Sequence, residues 1–185
     1  MRVRPRKRTA PPTPKQSLIQ LRIKKAYDFI LPYKAYAALY FGMKVGMRSC
    51  YNLAITNIIN AYKLNFTTLE LNLVPSEIEF SHGSLLGAMP TGLVANTTGS
   101  FEIEWYNNAG SDPDKETDEL QVLYLAEGEY KPIFLENIGQ RIDTTASIPV
   151  APNMQGKKIQ VWIAFRTVDL MIASKSSYVG SVQLL

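Results

Sequence analysis

The chain holds one histidine, His82, and one cysteine, Cys50, so the reactions open to it are few. His82 lies in the segment SHGSLLGA, residues 81–88. An imidazole draws a proton from a serine or thiol only when it touches that nucleophile and an acid orients the ring. Ser81, Ser84 and Cys50 are the candidates, yet no strand–turn–helix nucleophile elbow surrounds them. The expectation is a histidine at a turn or strand end, with Gly83 and Gly87 allowing close backbone approach between strands. One His and one Cys cannot furnish the four ligands of a structural zinc site within a chain. A lone cysteine also excludes an internal disulfide framework.

Carboxylates are more plentiful. Residues 111–119, SDPDKETDE, carry Asp112, Asp114, Glu116, Asp118 and Glu119, and hard cations such as calcium take several carboxylate oxygens. The glycine at loop position six and the terminal Glu spacing of an EF-hand are missing, so a solvated acidic loop is expected. Glu102 and Glu104 are two residues apart and share a strand face. They suit a solvated stripe better than the opposed carboxyls of a glycosidase.

The strongest signal is basic. Residues 1–16, MRVRPRKRTAPPTPKQ, contain four prolines and six Lys/Arg, with too little apolar surface to offset the entropy of ordering. They read as an extended arm. Arg2, Arg4, Arg6, Lys7, Arg8 and Lys15, continued by Arg22, Lys24 and Lys25, form the candidate partner- or phosphate-binding set. Residues 1–63 carry 13 Lys/Arg against the single acid Asp28, a balance of +12, while residues 64–185 carry 7 bases and 15 acids, a balance of −8. Such a dipolar chain seeks polyanions or acidic protein surfaces, the sheets of a neighbouring copy included. Tyr27, Tyr33, Tyr36 and Tyr40 could stack on bases or pack internally. No RRM, KH or helix-turn-helix pattern accompanies the arm.

The elements that must position these residues follow from period and punctuation. Ser17 is a plausible cap for a helix through Leu31, Pro32 ends or kinks it, and a short aromatic helix follows over 33–41. Ser49 caps a third helix to about Lys63. Beyond it, β-branched and aromatic runs recur at 68–74, 77–81, 101–106, 120–126, 131–135, 146–150, 158–167 and 177–184, separated by Pro, Gly, Asn and Asp. In FEIEW, Phe101, Ile103 and Trp105 share a face; in KIQVWIAF, Ile159, Val161, Ile163 and Phe165 do. The reading is α+β: a basic arm (1–16), a helical segment (17–63) and an antiparallel β-sandwich of immunoglobulin or fibronectin type (64–185). With 46% apolar and 19% charged residues a core can form. No apolar run is long enough to span a bilayer, and the basic start lacks the apolar block of a signal peptide. That pattern leads to a cytoplasmic location or one inside an assembled particle.

The stretches PPTPKQ (11–16), FILPYKAY (29–36), YNLAITNIINA (51–61), SHGSLLGA (81–88), FEIEWYNNAG (101–110), TDELQVLYL (117–125), VWIAF (161–165) and SSYVGS (176–181) together resemble a Bacteroidota family of unknown function. The resemblance spans nearly the whole chain and implies helices followed by a β-sandwich. It implies no activity, cofactor or metal. The resulting expectation is a non-enzymatic structural or assembly subunit, as of a phage-like particle, that docks on protein subunits through its arm and helices. Sequence-independent nucleic-acid binding by the arm is the alternative.

Overall fold

A computed structural model describes residues 11–44, 46–96, 99–110 and 112–185. Helix α1, Pro14–Ile30, begins earlier than its sequence pattern predicts. Thr13 is the cap: its hydroxyl accepts from the Gln16 amide at 3.3 Å, and the Gln16 side chain accepts from the Thr13 amide at 3.1 Å. With Pro14 in the first turn this is a capping box, and Ser17 already donates its amide to the Thr13 carbonyl as an ordinary helical residue. Pro32 acts as expected, converting the chain to a single 3-10 turn, Leu31–Tyr33, before α2, Lys34–Tyr40. Helix α3, Cys50–Ala61, is capped by Ser49, whose hydroxyl accepts from the Asn52 amide.

Helix α3 does not run on to Lys63. Tyr62 leaves it extended and opens β1, Tyr62–Asn65, which pairs antiparallel with β2, Glu70–Leu73. The Asn65 side chain turns this hairpin by accepting from the amides of Thr67 and Thr68. The strand expected at 77–81 is replaced by a 3-10 turn, Pro75–Glu77, and an extended stretch whose backbone is satisfied mainly by side chains. Asn57 donates to the Glu77 carbonyl and accepts from the Glu79 amide, and Ser176 accepts from the Phe80 amide.

Seven further strands build two antiparallel sheets, joined by the short helix α4, Pro113–Glu116. One sheet holds β3 (Pro90–Asn96), β4 (Ser100–Trp105) and β7 (Thr145–Pro149) in the order β3-β4-β7. The other holds β5 (Glu119–Ala126), β6 (Ile133–Leu135), β8 (Lys158–Arg166) and β9 (Ser177–Gln183) in the order β6-β5-β8-β9. Strand β3 escapes the sequence pattern because it opens on Pro90, contains Gly92 and is bulged between them against β4.

The central pair β5–β8 decides the packing. Leu120, Val122, Tyr124, Ile159, Val161, Ile163 and Phe165 enter one core with Phe101, Ile103, Trp105 and Ile148 of the three-stranded sheet. The alternate residues Leu123, Leu125, Trp162 and Ala164 enter a second core with Phe29, Ile30, Tyr33, Tyr36 and Ile58 of the helices. Helices and the four-stranded sheet therefore share this second core across the boundary where the charge changes sign. Both tryptophans are core residues: Trp162 donates its indole N–H to the Pro75 carbonyl, and Trp105 donates to that of Arg141.

Arg141 is fully buried and fixes four separate segments. Its guanidinium donates to the Asp118 carboxylate at 2.9 Å, to the Asn108 side chain, and to the carbonyls of Leu86 and Lys115. The same group stacks 4.0 Å from the centre of the Phe165 ring. Burial pushes the Asp118 carboxyl above its ordinary range against the opposing pull of Arg141, so the pair survives through its full set of donors. Replacing Arg141 by Met strands a buried carboxylate and is expected to cost about 3–5 kcal/mol. Urea denaturation measures this, and Arg141→Met combined with Asp118→Leu should recover most of the loss.

Candidate functional site

At one end of the helical layer, an open cleft of about 800 Å3 forms where α2, α3, residues 82–84 and residues 171–173 meet. Backbone pairing builds it. Gly42 ends α2 with φ +68° and donates its amide to the His82 carbonyl at 2.6 Å, and the His82 amide donates to the Tyr40 carbonyl at 2.9 Å. Gly83 passes so close to the other wall that a methyl group there would lie 2.1 Å from the Ala173 carbonyl oxygen. The Tyr40 hydroxyl ties this wall to the helices by donating to the Leu170 carbonyl at 2.8 Å.

The cleft is lined mostly by apolar groups: Leu39, Phe41, Met43, Leu53, Met171 and Ile172. Leu39, Met43 and Met171 are 71%, 84% and 73% exposed, far more than packing within this chain requires. Two of the three are methionines, whose unbranched thioether side chains adapt to irregular apolar surroundings.

His82 supplies the polar edge. Its Nδ1 lies 2.6 Å from Glu79 Oε2, and Lys175 Nζ lies 2.7 Å from Glu79 Oε1. Burial alone would push the Glu79 carboxyl up, but hydrogen bonds from Lys175 and His82 outweigh it and hold the group below the usual carboxylate range. With Nδ1 engaged, Nε2 is the ring nitrogen left to meet a ligand. Ser84 lines the same cleft but makes no hydrogen bond to the imidazole among the described residues. The Ser81 hydroxyl donates to the Ser174 carbonyl, and the Cys50 thiol donates to that of Gly42. The geometry orients an imidazole beside apolar walls without setting a nucleophile against it. His82 sits in an isolated bridge with Phe41, outside the strands of the sheets. The Glu79 partnership was missed: a Glu three residues before a His is too common a spacing to single out.

The basic set has divided fates. Arg2, Arg4, Arg6, Lys7 and Arg8 lie outside the described residues. Arg22 is half-buried, its Nε donating to the Ile59 carbonyl at 2.8 Å near the end of α3, a favourable place for a cation. Lys25 Nζ sits 4.3 Å from the Tyr130 ring centre and Lys15 Nζ 6.0 Å from that of Phe66, while Lys24 is exposed. Tyr33, Tyr36 and Tyr40 are buried, and only Tyr27 of the four tyrosines is exposed.

The acidic loop is not simply solvated. Asp112 caps α4 and pairs with Lys115 at 2.7 Å, Asp118 is buried on Arg141, and Glu119 accepts from Arg166 at 2.8 Å. Among the described residues no three His, Cys, Asp or Glu side chains come together to hold a metal. No helix among them is long and apolar enough to cross a membrane.

The Glu79 cluster has a pH signature. A lowered carboxyl adds stability that is complete above the ordinary value of 4.5 and lost as pH falls through the lowered one. Lys175→Met should therefore destabilise the fold at neutral pH, and its difference from wild type should close on the acid side. Urea unfolding at pH 3 to 7 reads this directly.

No curated protein matches the chain at a significant level. The model of a family of unknown function, DUF6266, matches residues 1–180, and the chain belongs to that family.

Proposed function

We propose that this chain is a non-enzymatic structural or assembly subunit of a larger macromolecular particle, of which a phage-like particle is one form. The observation that carries the reading is the cleft: Leu39, Met43 and Met171 stand exposed around an apolar trough whose walls are fixed by backbone pairing. A surface of that kind is stabilised when a partner covers it. In this reading the two sheets form an immunoglobulin-like sandwich that serves as a rigid body. The shared core of β4, β5, β7 and β8 supports that arrangement. The helical segment provides the docking surface, and the basic arm tethers the subunit inside a particle or in the cytoplasm. Arms that order on assembly add contact area without a larger core.

Sequence-independent nucleic-acid binding is the second reading, favoured by the balance of +12 over residues 1–63. Phosphate contacts would make it steeply salt-dependent. Its decisive variant is Arg2/Arg4/Arg6/Arg8→Ala. Affinity for DNA or RNA that is micromolar or weaker at low salt, and unchanged in that variant, removes this reading.

A photo-crosslinking amino acid at position 43 or 171 tests the assembly reading in cells. The expected product is a protein adduct of discrete mass. A nuclease-sensitive adduct would transfer the site to nucleic acid, and no adduct at either position would defeat the docking function.

A further inference from the structure

Helix α1 carries more apolar surface than its own core uses. Leu18, Ala26, Phe29 and Ile30 are its buried residues. A second row at four-residue spacing, Ile19, Ile23, Tyr27 and Leu31, lies on its flank and on into the following turn, 41%, 42%, 50% and 55% exposed. Residues four apart stand in line on a helix, so these four side chains make one ridge about three turns long. The exposed Lys24 is next to that ridge. Over its whole length α1 carries Lys15, Arg22, Lys24 and Lys25 against Asp28 alone.

The opposite side of the molecule carries a complementary face. Phe101, Ile103, Trp105, Ala146 and Ile148 point into the core, so the alternating Glu102, Glu104, Thr145 and Ser147 point outward. Register places Val94 beside Glu102 and Gly92 beside Glu104 on that surface. Val94 is 54% exposed, and β3, β4 and β7 contain no Lys or Arg. Both carboxylates are held in place: Thr145 donates to Glu102 at 2.7 Å, and the side chain of Glu104 lies across Gly92, where a methyl group would meet it at 2.5 Å.

We infer that the α1 ridge docks on the outer face of the β3-β4-β7 sheet of a second copy of this chain, head to tail. Charge selects the occupant. Two α1 helices face to face would oppose like charges, whereas ridge against sheet places lysine beside glutamate. Packing of the ridge on Val94 and on the backbone at Gly92 adds to the charge pairing, because each exposed ion pair by itself contributes little. A contact between two different faces leaves one of each free at the ends, so copies add in series and do not stop at a dimer. This inference rests on the assembly reading and names the partner within it.

Sedimentation velocity over a concentration series tests it in the full chain. The wild type should form a graded series of oligomers that shifts toward monomer when NaCl rises from low to high concentration. Ile23→Glu with Tyr27→Glu removes the ridge, and Glu102→Lys with Glu104→Lys removes the sheet face. Each double variant alone should be monomeric, and an equimolar mixture should form dimers and nothing larger, because one intact ridge still meets one intact sheet. Lys24→Glu, at an exposed position, guards against misfolding and should weaken association about threefold to tenfold. A wild type that is monomeric throughout, a mixture that stays monomeric while wild type associates, or an unchanged Lys24→Glu would each overturn the inference. A protein adduct from position 43 alongside a monomeric wild type would leave the assembly reading standing with a different partner.

Discussion

Strands β5 and β8 bury side chains on both of their faces, and the rest of the fold is arranged around that requirement. An antiparallel sheet usually leaves one face to water, and a strand that does so alternates apolar with polar residues. LQVLYLA and IQVWIAF do not alternate: apart from Gln121 and Gln160, every position is apolar. Two layers must therefore cover this pair. The three-stranded sheet covers one face, and α1, α2 and α3 cover the other. The helices cannot be an appendage to a finished β domain, since without them Trp162, Leu123 and Leu125 would stand in water. At roughly 1.5–3 kcal/mol for each large side chain buried, that exposure would be comparable to a typical domain's stability margin.

The same two strands set where the buried charges go. Asp118 and Glu119 are consecutive, and each pairs with a different arginine: Asp118 with Arg141, which stacks on Phe165, and Glu119 with Arg166. Phe165 and Arg166 are also consecutive and point to opposite faces of β8. The two ion pairs thus lie on opposite sides of one sheet at the same end. Buried pairs of this kind add little net stability, but they penalise misalignment heavily. A slip of one residue between β5 and β8 would part Arg166 from Glu119, its register partner, and move Phe165 from under the Arg141 guanidinium. Register here is defined by charge as well as by hydrophobic pattern.

What could be read from the residues followed how local its physics was. The inward set of FEIEW and the shared face of KIQVWIAF are properties of one strand each, and both follow the two-residue period of a strand. Ser49 as a cap and Pro32 as a helix breaker are likewise local. Thr13 was overlooked in favour of Ser17 because the proline-rich start reads as extended, although Pro14 and Gln16 complete a capping box. Strand β3 was hidden by its proline and glycine, and β1 by lying directly against a helix end with no turn residue between them. The Arg141 network was out of reach, because its partners at 86, 108 and 115–118 are brought to residue 141 only by tertiary packing. The cleft was out of reach for the same reason: residues near 40, 82 and 172 meet through Gly83 and the Tyr40 hydroxyl, not through any shared motif.

The charge division acquires a different physical meaning once a core is shared. Sequence alone places a basic half beside an acidic one, which suggests two bodies with separate roles. In the folded chain both halves contribute to the core beneath the helices, so charge is segregated by surface as well as by sequence. The helices turn their cations away from the sheet they cover, or spend them locally, as Arg22 does on the end of α3. The three-stranded sheet turns Glu102 and Glu104 the opposite way. A covering layer needs one apolar face per helix, and α1 has that face in Leu18, Ala26, Phe29 and Ile30. A second apolar row beside Lys24 does nothing for the core, and it is costly in water unless something covers it. The two-sided burial of β5 and β8 fixes which surfaces remain outside, and those surfaces are basic and apolar on one side and acidic on the other.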